Sequence, residues 1–427
     1  MESTLKRTWA EIDLDHLTHN YETIRRHVGE RVKLLGVVKA DGYGHGAVEI
    51  ARRLEQLGAA YLAVSNIDEC EELRDNGIRL PILMLGFTPA DQTERILQLE
   101  MTQAVQSYDI AKEFSDRALA LGGKMTVHLK LDTGMGRLGF ACSEAHFDES
   151  LHEILRVLEL PGLKVEGIFT HFSVSDEDTP ESVAFTALQH ERFARMIEEA
   201  ESRSGFCFAL HHCCNAGGIA SYPEWAWDMV RCGIILYGSG DLAEKMGMKP
   251  VMSLKTRVAT IKDFDAGEPI SYGRTYFTQR HSRIAVLPIG YADGLHRALS
   301  NQIEVLTPYG RAKQVGRICM DMCMIDVTDL PQVKSGDEVE IFGEHVLCAD
   351  LAERCDTIPY ELLCAVSKRV PRIYRLNGVP VDKTCIRLAE RTPQARSAYD
   401  GLGAKKTGKV ASPRINSAPA WENDSGP

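Results

Sequence analysis

The sequence has no apolar run approaching the roughly 18 to 20 residues that a membrane-spanning helix needs. Its first residues, MESTLKRTWAEIDLD, hold no apolar core of the signal-peptide kind. Membrane insertion and export are therefore not expected, and a cytoplasmic location is. Basic residues are not in excess either: 49 Lys and Arg stand against 60 Asp and Glu, a formal net charge of -11. A nucleic-acid partner would call for a basic face or balance, so small molecules are the expected ligands. The 12 cysteines are scattered singly through apparent core segments. In a reducing compartment they read as small buried hydrophobes, and disulfides are not expected.

At 427 residues the chain exceeds one typical domain and suggests two. Its 44% hydrophobic and 26% charged residues are ordinary for a globular protein. From residue 34 one theme repeats, a short apolar run followed by an amphipathic helical stretch. The runs are LLGVVK (34–39), AAYLAVS (59–65), PILMLG (81–86), MTQAVQ (101–106), MTVHLKL (125–131), LKVEGIFTHF (163–172), FCFALHH (206–212) and WDMVRCGIIL (227–236). Between them lie patterns such as NIDECEELRDNG, with Asn66 as N-cap and Gly77 as stop. Eight such units predict an α/β fold, a closed (β/α)8 barrel of the TIM type, with an open doubly wound sheet as the rival.

After about residue 250 the texture turns to alternating and β-branched runs, such as SLKTRVATIKDF and GDEVEIFG, cut by Gly, Asp and Pro turns. The expected organisation is a barrel over 1–245, its first few residues pairing with a mainly-β domain over 246–385. The remainder, 386–427, lacks periodicity and reads as a disordered tail.

In a (β/α)8 barrel the carboxyl ends of the strands converge on one mouth, where catalytic groups gather. Lys39 ends the first run, His171 ends the sixth, Asn215 follows the seventh, Arg231 ends the eighth, and Arg137 sits in the glycine-rich loop DTGMGRLGF after the fifth. A lone lysine at a strand end is commonly a snorkelling surface residue; five polar residues at one end argue otherwise. A lysine in an apolar mouth loses its proton more readily, and the neutral amine can form a Schiff base with a carbonyl compound. The glycines at 42, 44 and 46 are expected to let the backbone approach a ligand, although the same pattern suits a turn. HHCC, His211 to Cys214, alternates sides along a strand and cannot present four ligands to one metal, so no metal is expected.

The stretches VVKADGYGHG, LKLDTGMGRLGF, IFTHFSVSDE, MVRCGIILYG, ISYGRTYF, PIGYADG, GRICMDMCMIDV and IPYELLCAVSKRVPRIY occur in this order. They resemble the signature blocks of the alanine racemase family, pyridoxal-phosphate enzymes of fold type III, from about residue 7 to about residue 380. The resemblance implies that Lys39 holds pyridoxal 5'-phosphate in a Schiff base and serves as one catalytic base, with Tyr272 as the second base, reaching the substrate across a homodimer interface. It implies that Arg231 donates to the pyridine nitrogen and that His171 lies beside the ring. Tyr43 and Tyr360, with amides near Gly233 and Ile234, would bind the phosphate, and Asn215 and Ala216 adjoin it. Arg137 and the Met320 amide would bind the substrate carboxylate, Tyr291 would narrow the entry, and Lys130 would be carbamylated beside Arg137. One departure stands out: the family usually has serine after this asparagine, and here it is Ala216, with amides at Gly217 and Gly218 as candidate substitutes.

The implied activity is racemisation of L-alanine to D-alanine for peptidoglycan, on shared sites of a homodimer. A serine or broad-specificity racemase is the nearest alternative, since pocket volume around Tyr360 and Tyr291 sets substrate choice. A fold-type-III decarboxylase would normally pair the ring nitrogen with a carboxylate, which Arg231 opposes. A pyridoxal-phosphate carrier of the single-barrel type would lack the β domain.

Overall fold

A computed structural model describes residues 7–384 of the chain; the segment expected to be a disordered tail, 386–427, lies outside them. The strands run in chain order as β1 (Thr8–Asp13), β2 (Lys33–Val37), β3 (Tyr61–Val64), β4 (Ile82–Met84), β5 (Met101–Val105), β6 (Met125–Asp132), β7 (Phe140–Ala141), β8 (Leu163–Phe169), β9 (Leu210–His212) and β10 (Met229–Cys232) before the chain reaches its second sheet. From β2 onward, all but the two-residue β7 form one parallel sheet in the order β10-β2-β3-β4-β5-β6-β8-β9. Its two ends are linked by hydrogen bonds from Asp228 N to His211 O (3.1 Å) and from Arg231 N to Cys214 O (3.0 Å). That linkage curls the sheet into a nearly closed barrel and sets the open-sheet alternative aside. Each of the eight apolar runs overlaps one of these strands.

Every residue of β3, β4 and β5 is buried, because the inner face fills the barrel and the outer face meets helices. The helix Ile67–Asp75 starts where the Asn66 side chain accepts from Glu69 N (2.9 Å). It stops at Asn76, with Gly77 in the left-handed region one residue on.

The second sheet has ten strands. Their order is Thr260–Phe264, Ser282–Leu287, Cys323–Asp326, Gly310–Val315, Glu304–Thr307, Glu338–Phe342, Met252–Arg257, β1, Arg372–Leu376 and Val379–Thr384. β1 pairs antiparallel with Met252–Arg257 and parallel with Arg372–Leu376, so the chain begins its described course in this sheet and then enters the barrel. Two short helices, Cys348–Glu353 and Pro359–Ala365, precede the strand Arg372–Leu376. No described helix is long and apolar enough to cross a membrane.

The turn after β2 is unusual. Ala40, Asp41, Gly42 and Tyr43 all take left-handed backbone, with φ between 52° and 60°. For a residue with a Cβ this costs about 1–2 kcal/mol, so neighbours must hold the turn in place. Glu69 accepts from Ala40 N (2.7 Å) and Ser65 N (2.8 Å), and Asp41 accepts from Ala47 N (2.9 Å). From the second sheet, Arg372 donates to Gly44 O through Nε (3.0 Å) and Nη2 (2.8 Å), and Tyr374 Oη donates to His45 O (3.0 Å). A Cβ on Gly44 would meet Leu363 O at 2.2 Å, and one on Gly46 would meet Tyr374 Oη at 1.8 Å. Gly44 and Gly46 thus admit the second sheet and its helix, where the sequence suggested a ligand.

Gly46→Ala is therefore expected to destabilise the protein by roughly 2 kcal/mol or more, through the positive φ and the displaced Tyr374 hydroxyl. Thermal melting against wild type checks this, and an unchanged melting temperature would refute the clamp.

Candidate active site

A cavity of about 770 Å³ opens at the carboxyl ends of the barrel strands. Lys39, Tyr43, His171, Asn215, Ala216, Arg231, Gly233, Ile234 and Tyr360 all line it, so every residue assigned to the cofactor meets at one place. Lys39 heads the left-handed turn just past β2, and Arg231 is the third residue of β10. His171 lies two residues past β8. Asn215 caps the short helix Ala216–Ser221 by accepting from Gly218 N (3.0 Å). Tyr360 comes from the second sheet's helix Pro359–Ala365, and its ring meets that of Tyr43 edge-on at 5.9 Å. A Cβ on Gly233 would lie 3.2 Å from Tyr43 Oη, so glycine keeps the backbone open beside that hydroxyl.

Four cations share this mouth. Burial pulls the Lys39 amine below its usual value, and Arg137 adds to the effect. Burial lowers Lys130 to about 8, assisted by Arg137, Arg231 and Lys39, while its Nζ lies 5.7 Å from the Phe169 ring centroid. Burial keeps the His171 imidazole neutral, and the same four cations lower it further. The buried Arg231 guanidinium donates to the carbonyls of Thr170 (2.7 Å), Cys213 (2.9 Å) and His212 (3.0 Å), and to His171 Nδ1 (3.2 Å). A guanidinium has donors only, so His171 Nδ1 accepts and its proton sits on Nε2.

Five assigned residues do not line the cavity, Lys130 and Arg137 among them. Tyr272, Tyr291 and Met320 are exposed on the second sheet's loops, Tyr272 at 72%, and none lines the cavity of its own chain. They are neighbours through Cys319, whose carbonyl accepts from Tyr291 N (3.0 Å) and whose Sγ lies 3.5 Å from Ser271 Oγ. Ser271 and Arg274 on either side of Tyr272 have positive φ, which fixes the loop's shape. Arg137 also stays off the cavity wall, on an exposed loop whose Gly134, Gly136 and Arg137 amides donate to Asp132. Four of the five strand-end residues therefore line the cavity, and the fifth acts on it through its charge.

Sequence reasoning missed Glu69 and Arg372, which hold the turn after Lys39, because their partners lie 29 and 328 residues away in the chain. Of the cysteines, Cys207 and Cys364 are exposed rather than buried, and all those described are free. In HHCC, His211 faces Asp228 (2.6 Å) while His212 is wholly buried. Among the described residues no cluster of three or more His, Cys, Asp or Glu could hold a metal.

A family model for the alanine racemase N-terminal domain matches residues 12–241, and one for the C-terminal domain matches residues 251–374. The chain belongs to the alanine racemase family. It is 46% identical to an alanine racemase of Clostridium perfringens over 388 residues, covering 88% of this chain and 98% of that protein. It is 43% identical to alanine racemase 2 of Caldanaerobacter subterraneus over 389 residues, covering 90% and 98%. Among solved structures, an alanine racemase of Clostridium difficile 630 superposes with a TM-score of 0.84 at 39% identity, covering 90% of this chain and all 100% of the other. The alanine racemase of Bacillus anthracis with bound L-Ala-P gives 0.80 at 33% identity, covering 90% and 98%.

Against the alanine racemase pattern, Ala216 removes a hydroxyl after Asn215. The Gly218 amide cannot replace it, because it is taken up by the Asn215 cap. A hydroxyl from another loop is committed to the same acceptor: Ser175 Oγ donates to Asn215 Oδ1 (2.8 Å), in space that a Cβ on Gly217 would enter at 2.5 Å from the Ser175 hydroxyl. Glycine at 217 and serine at 175 are thus a matched pair.

The lowered Lys130 has a consequence for stability. A base whose folded pKa falls from 10.5 to about 8 penalises the fold fully below pH 8, and the penalty fades as pH rises to 10.5. In buffer stripped of carbon dioxide, Lys130→Met should be about 3 kcal/mol more stable than wild type at pH 7. The gain should shrink through that alkaline window, and denaturant titrations across the range would expose a gain that ignores pH.

Proposed function

We infer that the chain racemises alanine, with pyridoxal 5'-phosphate as its cofactor. The observation that carries this is the single cavity shared by Lys39, Tyr43, His171, Arg231 and Tyr360 at the barrel mouth of an alanine racemase family member. The donor set suits the cofactor. Tyr43 and Tyr360 offer hydroxyls beside the open backbone at Gly233, and Ile234 begins a helical turn whose first amides have no earlier carbonyl to bond. These would hold the phosphate, with Asn215 and Ala216 at its border, and His171 would lie beside the ring. When bound, the cofactor supplies an electron-withdrawing ring that makes the amino acid's α-proton acidic.

Lys39 Nζ, its pKa lowered by burial, takes that proton on one face or returns it. Inversion needs a second acid-base group on the opposite face, and Tyr272 Oη of the partner subunit is assigned that role. Arg231 would donate its remaining Nε–H to the ring nitrogen without surrendering a proton, which would limit the ring's electron withdrawal and disfavour side reactions. Arg137 and the amide of Met320 of the partner subunit would bind the substrate carboxylate, and Tyr291 of the partner subunit would narrow the entry. The Lys130 amine, neutral in appreciable part near pH 8, can add carbon dioxide, and the carbamate would place an anion between Arg137 and its cationic neighbours. The exposed cluster of Tyr272, Tyr291 and Met320 supports a homodimer with shared sites.

Purified protein with added cofactor is expected to form D-alanine from L-alanine. Borohydride should fix the cofactor on Lys39, and its recovery on another lysine would overturn that assignment. Lys39→Ala and Tyr272→Phe should each lose roughly 10³-fold or more in rate. Mixed under conditions of verified subunit exchange, the two should regain activity, because one site per heterodimer then combines both wild-type groups. Activity stuck at the single-mutant level would exclude the shared site.

A further inference from the structure

Arg231 is a wholly buried cation whose hydrogen bonds reach carbonyls and imidazoles but no carboxylate. An uncompensated buried charge is costly, so the route by which it is balanced matters. Its Nη1 lies 3.0 Å from His212 Nδ1. His212 Nε2 lies 3.0 Å from His128 Nδ1, and His128 Nε2 lies 3.2 Å from Glu166 Oε2, which also accepts from Tyr61 Oη. The path crosses the barrel interior through β10, β9, β6, β8 and β3. His128 and His212 are fully buried, and His212 stacks on Phe169 with ring centroids 4.8 Å apart. Room for His128 depends on Gly167, where a Cβ would sit 2.9 Å from the imidazole.

The direction of this chain is fixed by its ends. A guanidinium only donates and a carboxylate only accepts. His212 Nδ1 must therefore accept from Arg231, which puts the His212 proton on Nε2, donated to His128 Nδ1. His128 then carries its own proton on Nε2 and donates it to Glu166. Protonating either histidine would place two donors face to face. Burial lowers the pKa of both, and the His128 hydrogen bond holds Glu166 down at about 2, so the ionisation states agree with the geometry.

We propose that His212, His128 and Glu166 form a one-way hydrogen-bond relay that holds Arg231 as a fixed donor at the cavity, with Tyr61 donating to Glu166 at its far end. These four are positioning residues, acting through Arg231, and the proposal rests on the cofactor reading above. Every hydrogen bond the guanidinium makes among the described residues runs through Nη1 or Nη2, leaving Nε for the cavity that Arg231 lines. Aligned imidazoles carry the effect of the Glu166 charge inward, since hydrogen bonds in a row polarise one another. A loosened Arg231 would leave the cofactor's ring nitrogen open to a proton from water, and keto-acid side products would grow at the expense of racemisation.

The test uses the loaded enzyme labelled with 15N-histidine. Long-range 1H–15N spectra should show His128 and His212 as neutral Nε2–H tautomers that do not titrate between about pH 6 and 9. An Nδ1–H tautomer or an imidazolium at either position would overturn the relay. Glu166→Gln should shift both imidazole signals, keep the KM for alanine within about twofold, and raise keto acid formed per racemisation turnover severalfold. Unchanged imidazole signals and an unchanged product ratio would equally overturn it. Tyr61→Phe should move both readouts in the same direction by less. Should Glu166→Gln fail to fold, the wild-type tautomers decide alone. Because the tautomers are read without any turnover, a failure of the racemase assignment would be seen separately, as wild-type protein that forms no D-alanine.

Discussion

The left-handed turn at Ala40–Tyr43 is the constraint on which the rest of the site hangs. It reverses the chain within a few residues of β2, leaving Lys39 at the cavity edge and bringing Tyr43 back to the same wall. Local propensity opposes such backbone, because three of the four residues carry a Cβ. The opposition is met from both sides: Glu69 binds the turn to the barrel, and Arg372 binds it to the second sheet. Arg372 also reaches the carbonyls of Val366, Ser367 and Val370, just beyond the helix that carries Tyr360. One buried guanidinium thus ties the lysine turn and the Tyr360 segment into a single rigid unit. A barrel alone would not hold that geometry.

The second constraint is electrostatic. The chain as a whole is acidic, with a net charge of -11, yet Lys39, Lys130, Arg137 and Arg231 act on one another at the mouth. Grouping cations in a partly desolvated place costs stability, and the fold bears that cost where it receives ligands. A phosphate, a substrate carboxylate and a carbamate would each add negative charge to the same place. Asp176, Asp241, Asp350, Glu353 and Asp356 line the same cavity, so the excess of positive charge is local to these four side chains, and that is where such ligands would offset it.

Much of this was legible in the sequence, for identifiable reasons. The barrel strands are buried on both faces and so appear as continuous apolar runs, and Lys39, Asn215 and Arg231 stand at or near their ends. Periodicity and caps are local signals, and Asn66 at the head of its helix shows one in place. The left-handed turn was not legible, because Ala40 and Tyr43 carry no residue-level sign of positive φ and Asp41, which tolerates it, carries only a weak one. The link from Tyr61 to Glu166 spans 105 residues and that from His128 to His212 spans 84. Each member reads as an ordinary core residue until the barrel closes. Ser175 escaped for the same reason, since only folding sets it against Gly217.

What the chain leaves incomplete is as informative as what it assembles. On the proposed assignment the cavity gathers Lys39 with the groups meant for the cofactor, while Tyr272, assigned as the second base, does not line it. The candidate for that task, Tyr272, stands exposed on a loop held in shape by Ser271, whose Oγ donates to Arg317 O (2.7 Å). Fixing a large aromatic side chain in water gains nothing for a monomer, since burial is what repays an ordered ring. Tyr291 and Met320 adjoin it, with apolar surface left in solvent. On the proposed shared site, the exposed aromatic loop of one copy and the cavity of the other would be complementary parts. Rotation about a twofold axis would seat each copy's projection in the other's cavity, so closure of the dimer and completion of the site would be one event.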